Sequence, residues 1–233
     1  MGYRDRDRPG VRGDLDYTLG VDLGQAGDYT ALALIKRVVT RWVPPEGDIK
    51  EESVYHLKLL DRAPLGVLYP VVARQVLSLL DQPPLSRDTP CVVDRSGVGR
   101  AVTDFFIEDG LDPYTVTITG GDTVTREGRH YNVPKRDIVG SLIAVYQSGR
   151  LKVAQEMELW PQLVHELTNF KLKISLKTGH DSYEAWRESD HDDLVLALGL
   201  AVWHAENQPA PMQLMDPETA DLIQNGWMHS VFD

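Results

Sequence analysis

Apolar and polar positions alternate along this chain in blocks that change period several times. Tyr17-Thr18-Leu19-Gly20-Val21-Asp22-Leu23 is a short apolar run closed by Gly24 and Gly27, and a second run covers Thr30 to Val39 just beyond that turn. Two runs so close together predict paired strands. Within Glu51 to Leu60, Tyr55, Leu57 and Leu59 alternate with His56 and Lys58, which predicts a third strand and a meander that starts at a sheet edge. The period then changes: Val67, Val71, Val72, Val76, Leu79 and Leu80 recur at helical spacing until Pro83-Pro84.

Cys91-Val92-Val93-Asp94 predicts a short buried strand, followed by the turn Ser96-Gly97-Val98-Gly99 and a helix through Phe106. Tyr114 to Thr119 alternates as a further strand. Asp137 to Gln147 places Ile138, Leu142, Val145 and Tyr146 on one helical face, with Pro134 suited to the first turn of that helix. A helix is expected from about Trp160 to Phe170. Lys171 to Leu176 and Ser182 to Trp186 then read as a hairpin around Gly179, and a last helix runs from Asp190–Asp192 to about Glu206. Strands first, then helices and strands in alternation, describe an α/β fold: a mixed central sheet with helices on both faces. Residues 1–16 are charged and aperiodic and read as a leader or linker, 17–206 as the folded domain, and 207–233 as a tail with a sparse apolar set from Met212 to Trp227.

Composition narrows the functional classes. The 233 residues suit one substantial domain, and 42% hydrophobic residues are enough for a core. With 35 acidic and 24 basic residues the net charge is −11, which argues against nucleic-acid attraction over the whole surface. Any such contact must be local. Cys91 is alone, so no intrachain disulfide forms, and no signal peptide or membrane-length apolar run is evident.

Three places carry acids where a fold does not ordinarily choose them. Asp22 interrupts an apolar strand, where an unpaired buried carboxylate costs several kcal/mol or takes up a proton. Asp94 ends a buried strand, the position where open α/β sheets place ligands. Asp192 and Asp193 open the helix that continues Leu194-Val195-Leu196-Ala197-Leu198, where the helix dipole favours a carboxylate. Singly, each also reads as a turn former or a first-turn helix acid. Jointly, acids from two strand ends and one helix start converge only if cations offset their repulsion, and hard oxygen donors suit Mg²⁺ or Mn²⁺ rather than zinc. Two such ions, about 3.5–4 Å apart, ready a water and stabilise the leaving oxygen of a phosphodiester. No Ser-His-Asp or Cys-His arrangement is recognisable, and His191 reads better as a helix-start residue than as a base.

The segments Leu19-Gly20-Val21-Asp22-Leu23-Gly24-Gln25 with Asp28-Tyr29-Thr30-Ala31, then Val93-Asp94-Arg95-Ser96-Gly97-Val98-Gly99, then His191-Asp192-Asp193-Leu194-Val195-Leu196-Ala197, resemble the nuclease domain of the large terminase subunit of tailed bacteriophages. The resemblance spans about Tyr17 to Ala205 in the family's order. It implies an RNase H-like fold and a metal-dependent endonuclease that cuts double-stranded DNA during genome packaging. By the same resemblance Asp22 bridges two Mg²⁺ or Mn²⁺ ions, Asp94 holds one, and Asp192 or Asp193 the other. It also implies packaging partners, the portal protein and the small terminase subunit, and action in the host cytoplasm. No Gly-x-x-x-x-Gly-Lys-Ser/Thr loop occurs, so the packaging ATPase of a complete large subunit is not in these residues.

Arg126, Arg129, His130, Lys135 and Arg136 lie in a Gly-flanked hairpin-like segment and the following helix start, while Lys171, Lys173 and Lys177 share odd-numbered positions of the expected later strand. Arg129, Lys135, Lys171, Lys173 and Lys177 are therefore the candidate DNA-phosphate contacts, the last three on a hairpin that in the resembled family flanks the DNA groove. Other readings stay open: a junction resolvase on the same fold, an actin-like or sugar-kinase nucleotide fold from Gly20-Val21-Asp22-Leu23-Gly24 with Thr30, or a non-catalytic packaging-motor domain.

Overall fold

The computed structural model describes residues 11–24, 28–42, 50–97, 99–176 and 192–209. Strands β1 (Val11–Asp22), β2 (Ala31–Trp42) and β3 (Lys50–Arg62) form the antiparallel meander. Helix α1 (Tyr69–Leu80) leads to β4 (Cys91–Asp94), α2 (Gly99–Glu108) and β5 (Tyr114–Thr119). A short hairpin, β6 (Thr125–Glu127) and β7 (His130–Pro134), runs into α3 (Lys135–Gln147). Then come β8 (Leu151–Val153), α4 (Trp160–Leu176) and α5 (Asp193–Glu206).

Among the described residues the strands form one mixed sheet in the order β6-β7-β5-β4-β1-β2-β3-β8. The meander does not begin at an edge. The side of β1 away from β2 takes β4 in parallel, with Leu19, Gly20 and Val21 opposite Cys91, Val92 and Val93. This suits the apolar run, since Leu19 and Val21 are fully buried, as a central strand requires. The strand also begins earlier than the Tyr17 start read from the sequence, because a register shift between Arg12 and Leu15 lets the charged Val11–Asp16 stretch continue the pairing with β2.

Helices cover both faces. On one side α1 and α2 close over Leu19, Val21, Leu32 and Leu34, and on the other α3, α4 and α5 pack on Ala31, Ala33, Ile35 and Leu57. Alternate residues of a strand point to opposite faces, so the odd and even positions of β2 serve two separate cores.

The central element is α5, apolar on every side and buried from Asp193 to Ala205. It lies directly on β1 because Gly20 has no side chain: a Cβ there would stand 2.0 Å from the carbonyl oxygen of Ala197. Its far end is tied down by Arg37, which donates from Nη1 to the carbonyls of Ala205 (2.9 Å) and Gln208 (3.2 Å), a cation against a helix C-terminus.

One expected element is different in kind. Lys171 to Leu176 alternates strictly, but it continues α4 rather than starting a strand. Leu163, Leu167, Phe170 and Ile174 keep helical spacing through it, and that register prevails over the local alternation. The second arm, Ser182 to Trp186, lies outside the described residues, as do His191 and the tail from 210 onward. No described helix is long and apolar enough to cross a membrane.

Candidate active site

Extending the parallel register of β1 and β4 by one residue sets Asp22 beside Asp94, at the carboxyl ends of neighbouring strands about 4.8 Å apart. The two carboxyls act on each other electrostatically. Asp22 is 7% exposed, and its pKa is pushed well above the carboxylate range, first by burial, then by the charges of Asp94, Asp192 and Asp193, with Lys135 pulling the other way. Asp94 is raised too, chiefly by burial. Like charges brought this close in a buried place each favour the neutral form of the other.

The turn after β4 fixes Asp94. Its Oδ1 accepts from the Ser96 amide (2.8 Å) and the Ser96 hydroxyl (2.5 Å), and that hydroxyl oxygen accepts the Ile118 amide (2.6 Å) from β5. Ser96 thus ties the carboxylate to two strands at once. Its place two residues after an aspartate is the sequence signal of an Asx turn.

Asp192 and Asp193 arrive with the start of α5. Asp192 receives Lys135, whose Nζ lies 2.5 Å from its Oδ2. Lys135 opens α3 immediately after β7, so its ammonium enters the acidic cluster with its side chain only 14% exposed. Asp193 lies with Oδ2 3.1 Å from Arg62 Nη2, an ion pair. Arg62, at the end of β3, also pairs with Glu166 and stacks over the Tyr29 ring at 4.8 Å. Glu166 Oε2 in turn accepts the amides of Leu194 (3.1 Å) and Val195 (3.3 Å). A side chain from α4 therefore caps the start of α5, which has no cap from its own Asp192 side chain. Burial raises the Glu166 pKa to about 7, against the pull of Arg62.

All four acids singled out in the sequence therefore belong to one electrostatic cluster, but not equally. Asp22 and Asp94 meet directly, whereas Asp192 and Asp193 are held by cations at its border. Among the described residues, no three His, Cys, Asp or Glu side chains form a ready-made cation cage. The donor set nevertheless fits a hard divalent cation. It consists of carboxylate oxygens, and the raised pKa of the buried Asp22 marks a deficit of positive charge that Lys135 only partly offsets.

The basic candidates scatter. Lys135 is inside the cluster, paired with Asp192. Arg129 sits at the other end of β7 and folds onto its own domain, pairing with Asp112 (Nε to Oδ2, 3.0 Å) and stacking over Tyr114 at 4.6 Å. Lys171 and Lys173 fall on the last turns of α4, where residues two apart point about 200° from each other. The shared face argued from a strand is lost. Their side chains, and all of Lys177, lie outside what is described.

The order 3-2-1-4-5 of the first five strands, with β1 to β3 antiparallel, β4 and β5 parallel to β1, and helices on both faces, defines an RNase H-like α/β fold. Among solved structures the chain is similar to the crystal structure of the large terminase nuclease from the thermophilic phage G20c, with a TM-score of 0.50 and 16% sequence identity over 81% of each chain. No protein-family model and no curated protein matches the chain.

Proposed function

We propose that this chain is a metal-dependent endonuclease that hydrolyses double-stranded DNA, in the manner of a terminase large-subunit nuclease domain. The observation that carries the reading is the meeting of Asp22 and Asp94 at adjacent parallel strand ends, with the acidic start of α5 beside them. The likeness to the phage G20c nuclease supports the same reading at the level of the fold. Two Mg²⁺ or Mn²⁺ ions would be held by Asp22, Asp94 and Asp192 or Asp193, and such ions activate water and stabilise the leaving oxygen of a phosphodiester. The chain's own residues prepare the site. Ser96 fixes Asp94, Glu166 and Arg62 hold the start of α5, and Lys135 brings a positive charge to where a phosphate would approach. Double-stranded DNA is the proposed substrate, the portal protein and the small terminase subunit the proposed assembly partners, and the host cytoplasm the proposed place of action.

Plasmid cleavage tests this. Nicking and linearisation should require Mg²⁺ or Mn²⁺, stop in EDTA, and fall by more than about 100-fold in Asp94→Ala or Asp22→Asn. In EDTA the Asp22→Asn protein should melt higher than the wild type, by about 2–4 °C for each kcal/mol of buried repulsion relieved. Undiminished cleavage by an Asp22→Asn/Asp94→Asn double variant would exclude the carboxylates from the chemistry. A strong preference for four-way junctions over linear duplex would make the protein a resolvase instead.

A further inference from the structure

On the face of the sheet opposite the carboxylates, four strands align a row of basic and aromatic side chains. The register pairs Tyr17 with Lys36, Lys36 with His56, and His56 with Lys152, so β1, β2, β3 and β8 each contribute one residue to a line across the sheet. Lys58 joins them as the residue without a partner at a β-bulge, where Leu34 pairs with Leu59 and Ile35 with Leu57. Tyr17 and Lys36 each stand five residues from the Asp22–Ala31 pair, hence about 17 Å away along the strands and on the other face.

Among the described residues this row is only partly covered. Helices α1 and α2 close over Leu32 and Leu34 of β2, but Lys36 is half-buried and Lys58 and Lys152 are exposed. Among the described residues no carboxylate lies within ion-pair distance of the three lysines; Lys36 instead lies over the Tyr17 ring at 5.8 Å. Glu52, the acid nearest His56 along β3, stands two pleats away. Lys36 and Lys152 stand on the two strands that flank His56, so like charge gathers on one face. The His56 pKa is lowered, first by desolvation and then by Lys58, Lys36 and Lys152, which marks one continuous positive field. In a chain of net charge −11, such an uncompensated row implies a polyanion that neutralises it.

We propose that Tyr17, Lys36, His56, Lys58 and Lys152 form a second nucleic-acid surface, which grips the phosphate backbone of duplex DNA away from the cutting site. The choice of DNA rests on the nuclease reading above. The chemistry of the row favours a backbone over an acidic peptide, because ammonium groups spread over three strands of a sheet need no pocket, and a duplex offers phosphates along its whole length. A segment held here leaves the carboxylates on the opposite face free for another stretch of DNA.

The test is fluorescence anisotropy of a labelled duplex with the full chain in EDTA, across a salt series. The Lys36→Gln/Lys58→Gln/Lys152→Gln variant keeps the side-chain stems and should bind about tenfold more weakly or worse, with a salt slope reduced by about 2–3, near 0.9 for each lost phosphate contact. Unchanged affinity and slope overturn the proposal even if the wild type cuts DNA. Displacement of the duplex by poly-glutamate at equal charge concentration would overturn it in favour of an acidic protein partner. A wild type that binds through these lysines yet leaves DNA uncut with Mg²⁺ or Mn²⁺ overturns the nuclease reading and leaves this surface standing.

Discussion

His204, in the last turn of α5, is 2% exposed, and among the described residues neither ring nitrogen has a hydrogen-bond partner. Its ring packs 4.4 Å from that of Tyr114, while Arg126 and Arg129 stack over Tyr131 (5.0 Å) and Tyr114 (4.6 Å). Burial first, then these two guanidiniums, push its pKa down from 6.5 to about 4. Between those values the unfolded chain binds a proton that the folded chain does not, so stability falls as pH falls. Linkage makes this cost about 2 kcal/mol at pH 5 and only about 0.2 kcal/mol at pH 7. The wild-type profile alone cannot isolate the effect, because Asp22, Asp94 and Glu166 have raised pKa values and gain stability from acid, with the opposite sign. The difference between wild type and His204→Leu does isolate it. In urea titrations with EDTA present, the variant should gain about 2 kcal/mol relative to wild type between pH 7 and pH 5, or about 4–8 °C in thermal midpoint. Parallel stability curves over that range would show that the buried imidazole finds a proton-accepting partner, and would refute the reasoning.

Two further substitutions probe how α5 is held. Gly20→Ala should cost at least about 3 kcal/mol, because its Cβ meets backbone that cannot swing away, whereas Gly140→Ala in α3, where nothing lies within 4 Å, should gain about 0.5–1 kcal/mol; equal effects in chemical denaturation would mean that α5 does not rest on β1. Glu166→Ala leaves Arg62 and two helix amides without their carboxylate and should cost about 3–5 kcal/mol, with Glu166→Gln losing less because it keeps an acceptor for the amides; a loss under about 1 kcal/mol for the alanine variant would remove the brace from the account.

The strands, most helices and the four acids were legible because each leaves a local mark: Asp22 and Asp94 each break an apolar run, and Asp192 and Asp193 precede one. Arg62, Glu166 and Arg37 were not singled out, although two of them left a trace. Glu166 takes the i+3 place of the stripe begun by Leu163 and Leu167, and Arg37 takes an inward slot of β2 in line with Ala31, Ala33, Ile35 and Val39. A charge in an apolar slot is a signal of a buried pair. The Lys36–His56–Lys152 line is of another kind. It exists only through cross-strand register, which depends on a bulge at Lys58 and on β8, whose Lys152 meets His56 from 96 residues later in the chain, and neither is written in any local pattern.

The site gathers five acidic side chains, Asp22, Asp94, Asp192, Asp193 and Glu166, against two basic ones, Lys135 and Arg62. Left to themselves these charges would push the start of α5 away from β1. What holds it is apolar: Leu194, Val195, Leu198, Leu200 and Val202 are each fully buried, and at about 1.5–3 kcal/mol per side chain they contribute of order 10 kcal/mol. That exceeds the several kcal/mol each buried charge can cost after pairing and protonation. Among the described helices the one that delivers two of the acids is also the most apolar, and its burial on every side is what holds negative charge beside negative charge.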